Sequence, residues 1–373
     1  MKDIMTFKSG KFYFSEKFNS SKVNDLLIRA IVLNETIVDL PILPKLSSRL
    51  EPEIMYSSIS GTAAIEGNPI TEKDVQRIAE GQDVEGYTQK DKQEIINLIK
   101  AYSLLADIDS TDNPYMLTEE LVCELHKIIT DQIPDEHNIP GQYRNGIVYV
   151  GDKAHGGVYT PPKILVDIKN LIKEFISWIN SDEIINLNPF IRAAIAHYHF
   201  CIIHPFWDGN GRTARLLESI ILQTGNIKYT PKELSNFYYR NVDNYYIAFS
   251  KTIRLKKDIT PFIEFFIDAA VKSLTKIKES IVYFIRIFSL RDFYTHQNQQ
   301  RIITKRQFDL LSLLLDYPKS IDIKTLTSAP PFSFLYKNVS TQTARRDLAK
   351  LTSMRLIFLG DKGKYHINLR VLG

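Results

Sequence analysis

Cysteine is scarce in this chain: Cys123 and Cys201 are its two thiols among 373 residues. Both lie in apolar helical contexts, so a disulfide framework is excluded and buried thiols are expected. Long apolar runs are also missing. The longest are short and broken by charge, and no membrane span is expected. The first residues, Met1-Lys2-Asp3-Ile4-Met5-Thr6-Phe7-Lys8, lack the apolar core of a secretory signal. These absences predict a cytoplasmic protein. A strong net charge is absent too, with 47 Lys and Arg against 43 Asp and Glu. That balance conceals an asymmetry. Residues 301–373 carry 13 Lys and Arg against 5 Asp, leaving 34 against 38 for the rest. The basic tail is therefore a separate electrostatic object. Hydrophobic residues at 44% and charged residues at 24% are ordinary for a globular chain long enough for about two or three domains.

What is present is concentrated between His204 and Arg215: His-Pro-Phe-Trp-Asp-Gly-Asn-Gly-Arg-Thr-Ala-Arg. Upstream, Asn188 and Pro189 open a helix, a capping residue followed by proline in the first turn, and Ile191, Ala194, Ile195, Tyr198 and Ile202 recur at helical spacing. Downstream, Leu216, Leu217, Ile220 and Ile221 continue a second helix that Gly225 can close. Pro205 and the Gly209-Asn210-Gly211 triplet rule out one unbroken helix. The glycines let successive backbone N–H groups converge at a helix N-terminus, which makes an anion site. Arg212 and Arg215, three apart, share a helix face and can reach the same anion. Asp208 suits a bridging Mg2+, and His204 is a base that can be neutral near pH 7.

These twelve residues match the pattern His-x-Phe-x-(Asp/Glu)-Gly-Asn-Gly-Arg-x-x-Arg at every defined position, and the chain in this region resembles the Fic (Fido) family. The resemblance implies a protein adenylyltransferase that moves AMP from ATP to a Ser, Thr or Tyr hydroxyl of a target protein or of itself. It implies His204 as the base, Asp208 on Mg2+, and Gly209, Asn210, Gly211, Arg212 and Arg215 on the phosphates. Upstream, residues 53–67 read as a helix with a small-residue face, stopped by Gly67 and Pro69. Glu66 at its end works against the helix dipole, which suggests a cationic partner. The stretch Thr62-Ala-Ala-Ile-Glu66-Gly67 resembles the family's inhibitory motif, and the partner this implies is Arg215. Around residues 140–162, Ile147 to Val150 and Val158 to Thr160 flank a glycine-bearing loop and read as a β-hairpin. An isolated hairpin with an open edge resembles the family's flap, which docks a target segment by strand addition through Tyr149, Val150, Val158 and Tyr159. Asn241 and Tyr245, four apart on an expected helix, correspond to residues around the nucleotide base, although aromatic packing between helices explains them equally well.

Elsewhere, Phe12-Tyr13-Phe14 reads as a packing layer, and Thr71 with Asp74 and Thr88 with Asp91 as capping boxes. Glu119 and Glu120 favour a helix after Thr118, on which His126 reads as structural. The fold class expected is mainly α: a Fic-type helical core with a hairpin flap, then a C-terminal winged helix-turn-helix domain. The expected boundaries are 1–110 for an N-terminal helical region, 111–290 for the core and trailing helix, and 301–373 for the winged helix. The polar run 295–300 is the expected linker. Three helical patterns in the tail are followed by a hairpin with a basic tip, Gly360-Asp-Lys-Gly363. Arg345 and Arg346 on the third helix suit DNA phosphates, though such a module also serves protein contacts.

Other functions compete. A metal-dependent hydrolase would use His197, His199, His204 and Asp208, but His197 and His199 diverge on a helix. A DNA-binding regulator with a vestigial middle domain leaves a complete anion nest, base and carboxylate unexplained. An enzyme that removes AMP, or does both, differs only in direction. The partners these readings admit are ATP, a hydroxyl-bearing protein, DNA through 301–373 and a second copy of the chain in a homodimer, but no membrane.

Overall fold

The structure is a computed structural model that describes residues 1–42, 44–108 and 114–372. It is mainly helical and separates into two compact units, Met1–Lys278 and Glu279–Gly373. The expected boundary near residue 110 lies at 109–113, outside the described residues. Among the described residues no helix is long and apolar enough to cross a membrane.

The first unit begins with an antiparallel pair, β1 (Lys2–Met5) and β2 (Lys11–Phe14), with Lys2 opposite Phe14. Phe14 is fully buried and stacks on Trp178 at a centroid distance of 5.3 Å, so the aromatic segment is a packing layer. The strands themselves escape the sequence reading. Four residues are too few to show alternation, and the turn is held from far away: Asp167 accepts the N–H groups of Phe7, Lys8 and Ser9 at 2.7, 3.0 and 2.9 Å. Helices follow: α1 (Ser20–Asp39), α2 (Pro44–Ile65), α3 (Glu72–Ala79), α4 (Gln89–Asp107), α5 (Glu119–Thr130), α6 (Leu165–Ile179), α7 (Asp182–Ile185), α8 (Pro189–Ile203), α9 (Asn210–Thr224), α10 (Pro231–Arg240), α11 (Val242–Leu255) and α12 (Thr260–Gln299).

Local chemistry starts these helices where expected. Asn188 accepts from the Phe190 N–H at 3.0 Å and Thr118 from Leu121 at 3.1 Å. Thr88 and Asp91 form the full reciprocal box. Thr71 and Asp74 form half of one, because the Asp74 carboxylate accepts from the Thr71 hydroxyl. Helix α2 ends in a Schellman turn, with Asn68 N–H on the Ala63 carbonyl, Gly67 N–H on Ala64, and Gly67 at φ 89°. Its small face lies against α10. A Cβ on Gly61 would stand 2.7 Å from the Asn236 backbone, and the Asn236 amide donates to Ser57 Oγ at 2.6 Å.

The flap is a minimal hairpin: its pairing is the single antiparallel bridge between Val150 and Tyr159. Gly151, Gly156 and Gly157, all at positive φ, turn the chain away before a ladder can extend, and so short a pairing is marginal. The run 295–300 is no linker, since α12 continues to Gln299, and Leu290 and Tyr294 on it enter the second unit's core. The units accordingly divide at 278–279 within α12 rather than between 290 and 301. Cys123 and Cys201 are free but only partly buried.

The second unit holds the end of α12, then α13 (Lys305–Asp316), α14 (Ile323–Ser328), α15 (Ser333–Tyr336), α16 (Thr341–Ser353), β3 (Ile357–Leu359) and β4 (Tyr365–Ile367). Leu310, Leu314, Leu348 and Leu351 form its centre. Buried Asp347 ties three helices together, accepting from Arg306, Gln307 and Tyr336 at 2.7, 2.8 and 3.1 Å.

The α2–α10 approach yields a stability test. Gly61→Val should force the Asn236 backbone away and cost about 1–3 kcal/mol, the usual range for overpacking. Urea denaturation of the full chain followed by helical circular dichroism measures it. A Gly61→Val chain as stable as its parent would contradict the close approach.

Candidate active site

Helix α8 ends at His204, which adopts the left-handed conformation (φ 50°, ψ 61°) while its N–H still bonds the Phe200 carbonyl. Its ring Nδ1 lies 3.2 Å from the Cys201 carbonyl. A carbonyl only accepts, so Nδ1 carries the proton and Nε2 is left as the basic nitrogen. Burial pushes the imidazole pKa down to about 4, aided by the charge on Arg144 and opposed by the Cys201, Glu66 and Asp208 contacts. The ring is therefore neutral at pH 7.

Asn210 closes the turn. Its Oδ1 accepts from Phe206 N–H and its Nδ2 donates to Phe206 O, both at 2.9 Å. These bonds tie the Asn210 side chain to the turn and leave its backbone amide for the expected anion nest. Gly209 stands at φ 77°, and a Cβ there would meet His126 at 3.2 Å. At the start of α9, where amides lack partners within the helix, a Cβ on Gly211 would lie 2.7 Å from Glu66 Oε1. A carboxylate oxygen thus already sits against the nest.

Arg215, one turn further on, is 1% exposed and Glu66 about one-third exposed. The guanidinium donates to Glu66 Oε1 at 2.6 Å and to Thr62 Oγ1 at 2.6 Å. Burial disfavours its charge, but Glu66 more than offsets that, and its pKa stands above the ordinary value. Thr62 and Glu66, one turn apart at the end of α2, therefore grip Arg215 together. Arg212 instead donates to Asp208 Oδ2 at 2.7 Å, with Glu94 3.7 Å away. Burial would raise the Asp208 pKa, yet Arg212 and the Gly209 N–H outweigh it and hold the carboxyl below its usual range.

A cavity of about 390 Å3 takes in some of these parts, while Asp208, Gly209, Asn210 and Arg212 lie outside its lining. His204, Gly211, Arg215 and Glu66 line it, as do Tyr149, Val150 and Tyr159 of the flap. Tyr149 and Val158 are strongly exposed, at 71% and 56%. Of the base-side pair, Tyr245 lines the cavity, its hydroxyl 2.8 Å from His197 Nε2. Asn241 does not line it; it sits where α10 meets α11 and donates to the Phe237 carbonyl at 3.0 Å. His197 also pairs with fully buried Glu218, and His199 bonds Ser15. Among the described residues no three His, Cys, Asp or Glu come together to hold a metal, so the hydrolase built on His197, His199, His204 and Asp208 has no site. Asp208, the carboxylate of the motif, is 43% exposed, its Oδ1 accepting the Gly209 N–H at 2.6 Å and its Oδ2 accepting from Arg212.

Arg144 is missed from sequence, and His126, expected to be structural, braces the site. Arg144, fully buried, donates from Nε to the His204 carbonyl at 2.7 Å and from its backbone N–H to the Pro205 carbonyl at 2.9 Å. His126 accepts the Gly141 N–H on Nδ1 at 2.9 Å, so its Nε2 donates to the Asp208 carbonyl at 3.0 Å. It also stacks flat on Phe206, 3.6 Å away. These side chains brace the motif loop from 60 and 82 residues away. No local spacing signals that.

Comparison with known proteins agrees with this geometry. Residues 116–222 match the Fic/DOC family. The Protein adenylyltransferase Fic of Drosophila yakuba is 32% identical over 234 residues, covering 61% of this chain and 42% of the relative. The same-named protein of Drosophila melanogaster is 31% identical over 234 residues, with the same coverage. The chain thus spans about two fifths of the length of the curated relatives it matches. Among solved structures, a Fic family protein from Desulfovibrio desulfuricans has TM-score 0.60 and 20% identity, covering 95% of this chain and 98% of that one. Fic-1 of C. elegans has TM-score 0.56 and 22% identity over 70% of this chain and 73% of its own. At these identities the structural likeness is one of fold. The matched stretch, residues 116–222, carries the base, the anion nest and both arginines, so the similarity to the Fic/DOC family falls on the site itself.

Proposed function

We propose that this chain is a protein adenylyltransferase held inactive by Glu66. The observation that carries the reading is the placement of a neutral histidine, the Gly211 end of the anion nest and Arg215 around one cavity, with a carboxylate from α2 in the anion's place. A target hydroxyl attacks the α-phosphorus of ATP, and His204 Nε2 takes its proton. The bond from the α-phosphorus to the bridging oxygen breaks, and pyrophosphate leaves. Arg212 and the amides of residues 209–211 stabilise the charge that develops on phosphate oxygens. Asp208 would hold Mg2+, which supplies charge neutralisation across the α- and β-phosphates. Arg215 grips the γ-phosphate once Glu66 gives it up, and the flap edge at Val150 and Tyr159 holds an extended acceptor segment.

A buried arginine deprived of its carboxylate needs another anion, because an uncompensated buried charge is costly. The γ-phosphate is that anion. Glu66→Gly should therefore increase AMP incorporation from labelled ATP, and Arg215→Ala should reverse the gain. His204→Ala in the Glu66→Gly background should lose ~10²–10⁴-fold in transfer while still binding ATP. A Glu66→Gly chain no more active than its parent would end the inhibitory reading, and wild-type transfer without His204 would end the catalytic one. Since Glu66 shares the cavity with His204, it could also orient water on an AMP-modified protein. That reverse activity is read from AMP loss with no ATP present, in wild type but not in Glu66→Gly.

The basic second unit supports a winged-helix reading in which α16 meets DNA. Arg345 and Arg346 are exposed on that helix, and Lys362 and Lys364 are exposed at the β3–β4 turn. Arg345→Ala with Arg346→Ala should weaken duplex binding by the full chain and flatten its logarithmic salt dependence by about two. A salt slope unchanged by both replacements would assign α16 to a protein partner.

A further inference from the structure

The loop of the flap is fastened to α11 through one histidine. His155 Nδ1 lies 2.8 Å from Asp152 Oδ2 in the same loop, and its Nε2 lies 3.0 Å from Asp243 Oδ1 on α11. A neutral imidazole donates through only one nitrogen, so serving both carboxylates requires the imidazolium. Hydrogen bonds donated to Asp152 and Asp243 accordingly raise the His155 pKa. The same contact holds the Asp152 carboxyl below its ordinary range.

Neighbouring contacts complete the attachment. Arg254 of α11 donates to the Gly156 carbonyl. Gly156 stands at φ 107°, and a Cβ there would overlap Ser250 Oγ. The Tyr246 ring meets His155 edge-on, with centroids 5.4 Å apart. Glu66 and Arg215 are the charged pair elsewhere on the cavity wall. The loop thus rests on α11, and the Val150–Tyr159 bridge, whose amides bond at 2.9 and 2.8 Å, closes its base.

We infer that His155 is a positioning residue for the protein acceptor. In its charged form it seats the flap on α11, and this keeps the Val150–Tyr159 edge where an acceptor strand can pair with it. The inference rests on the flap role proposed above. The direction with pH is set by the raised pKa. The latch is complete below the ordinary histidine value and is lost as pH rises through the raised one. His204, titrating at about 4, stays neutral across that window, so the base does not obscure the change.

The test uses the full chain in the Glu66→Gly background, with and without His155→Gln, which keeps a donor but no charge. Hydrogen exchange at the Val150 and Tyr159 amides reads the seating without any ligand. AMP transfer to a His204→Ala copy of the same chain reads the acceptor step. His155→Gln should speed both amides about two- to fivefold, in keeping with the modest worth of exposed ion pairs. It should raise KM for the protein acceptor by a similar factor, mainly in KM rather than kcat, and abolish the rise of that KM with pH. Unchanged exchange would overturn the latch. Faster exchange with an unchanged acceptor KM would overturn the positioning role. If the Glu66→Gly parent transfers no AMP, the transferase reading fails and takes the acceptor role with it, and exchange alone then decides the latch.

Discussion

The contact between Arg215 and Glu66 is the constraint around which the first unit is arranged. Arg215 is almost fully buried, and a buried guanidinium must be paired. The fold meets that need twice from one helix end, through Glu66 at 2.6 Å and Thr62 at 2.6 Å. For those side chains to arrive, α2 must lie close to the motif helices. The contact at Gly61 and the amide of Asn236 on Ser57 bring it there. The Schellman turn at Gly67 then stops α2 at the residue that places Glu66 beside Gly211.

The same turn reaches the other motif arginine. Asn68, two residues after Glu66, donates to Glu94 Oε2 at 2.9 Å, and Glu94 Oε1 lies 3.7 Å from Arg212. Arg212 in turn donates to Asp208. One short segment therefore bears on both arginines, directly on Arg215 and through α4 on Arg212. Behind the loop, Arg144 and His126 hold the carbonyls of His204 and Asp208, so the base and the carboxylate are braced from outside the motif.

Much of this was legible because it is local. Asn188, Pro189 and the apolar spacing announce α8, and Pro205 with Gly209 to Gly211 announces the break that makes the nest. Glu66 was legible as an acid against a helix dipole, and its resemblance to an inhibitory motif supplied the partner. What was not legible depends on distant pairing. The β1–β2 turn exists because Asp167 caps it, Arg144 acts on carbonyls 60 residues away, and Asn210 turns its side chain back on Phe206. The shortness of the flap pairing was not legible, because residue types that favour strands do not reveal how far glycines at positive φ cut a ladder short. The run 295–300 was overread as a linker because polar residues also continue a helix whose other face enters a core.

The central claim is that Glu66 occupies Arg215 in place of a phosphate. It is tested most directly by equilibrium binding of ATP and ADP, measured by calorimetry on wild type, Glu66→Gly, and Glu66→Gly with Arg215→Ala. The account predicts little discrimination between the two nucleotides in wild type, a clear preference for ATP in Glu66→Gly, and loss of that preference when Arg215 is also removed. A wild-type chain that already favours ATP as strongly as Glu66→Gly would contradict it.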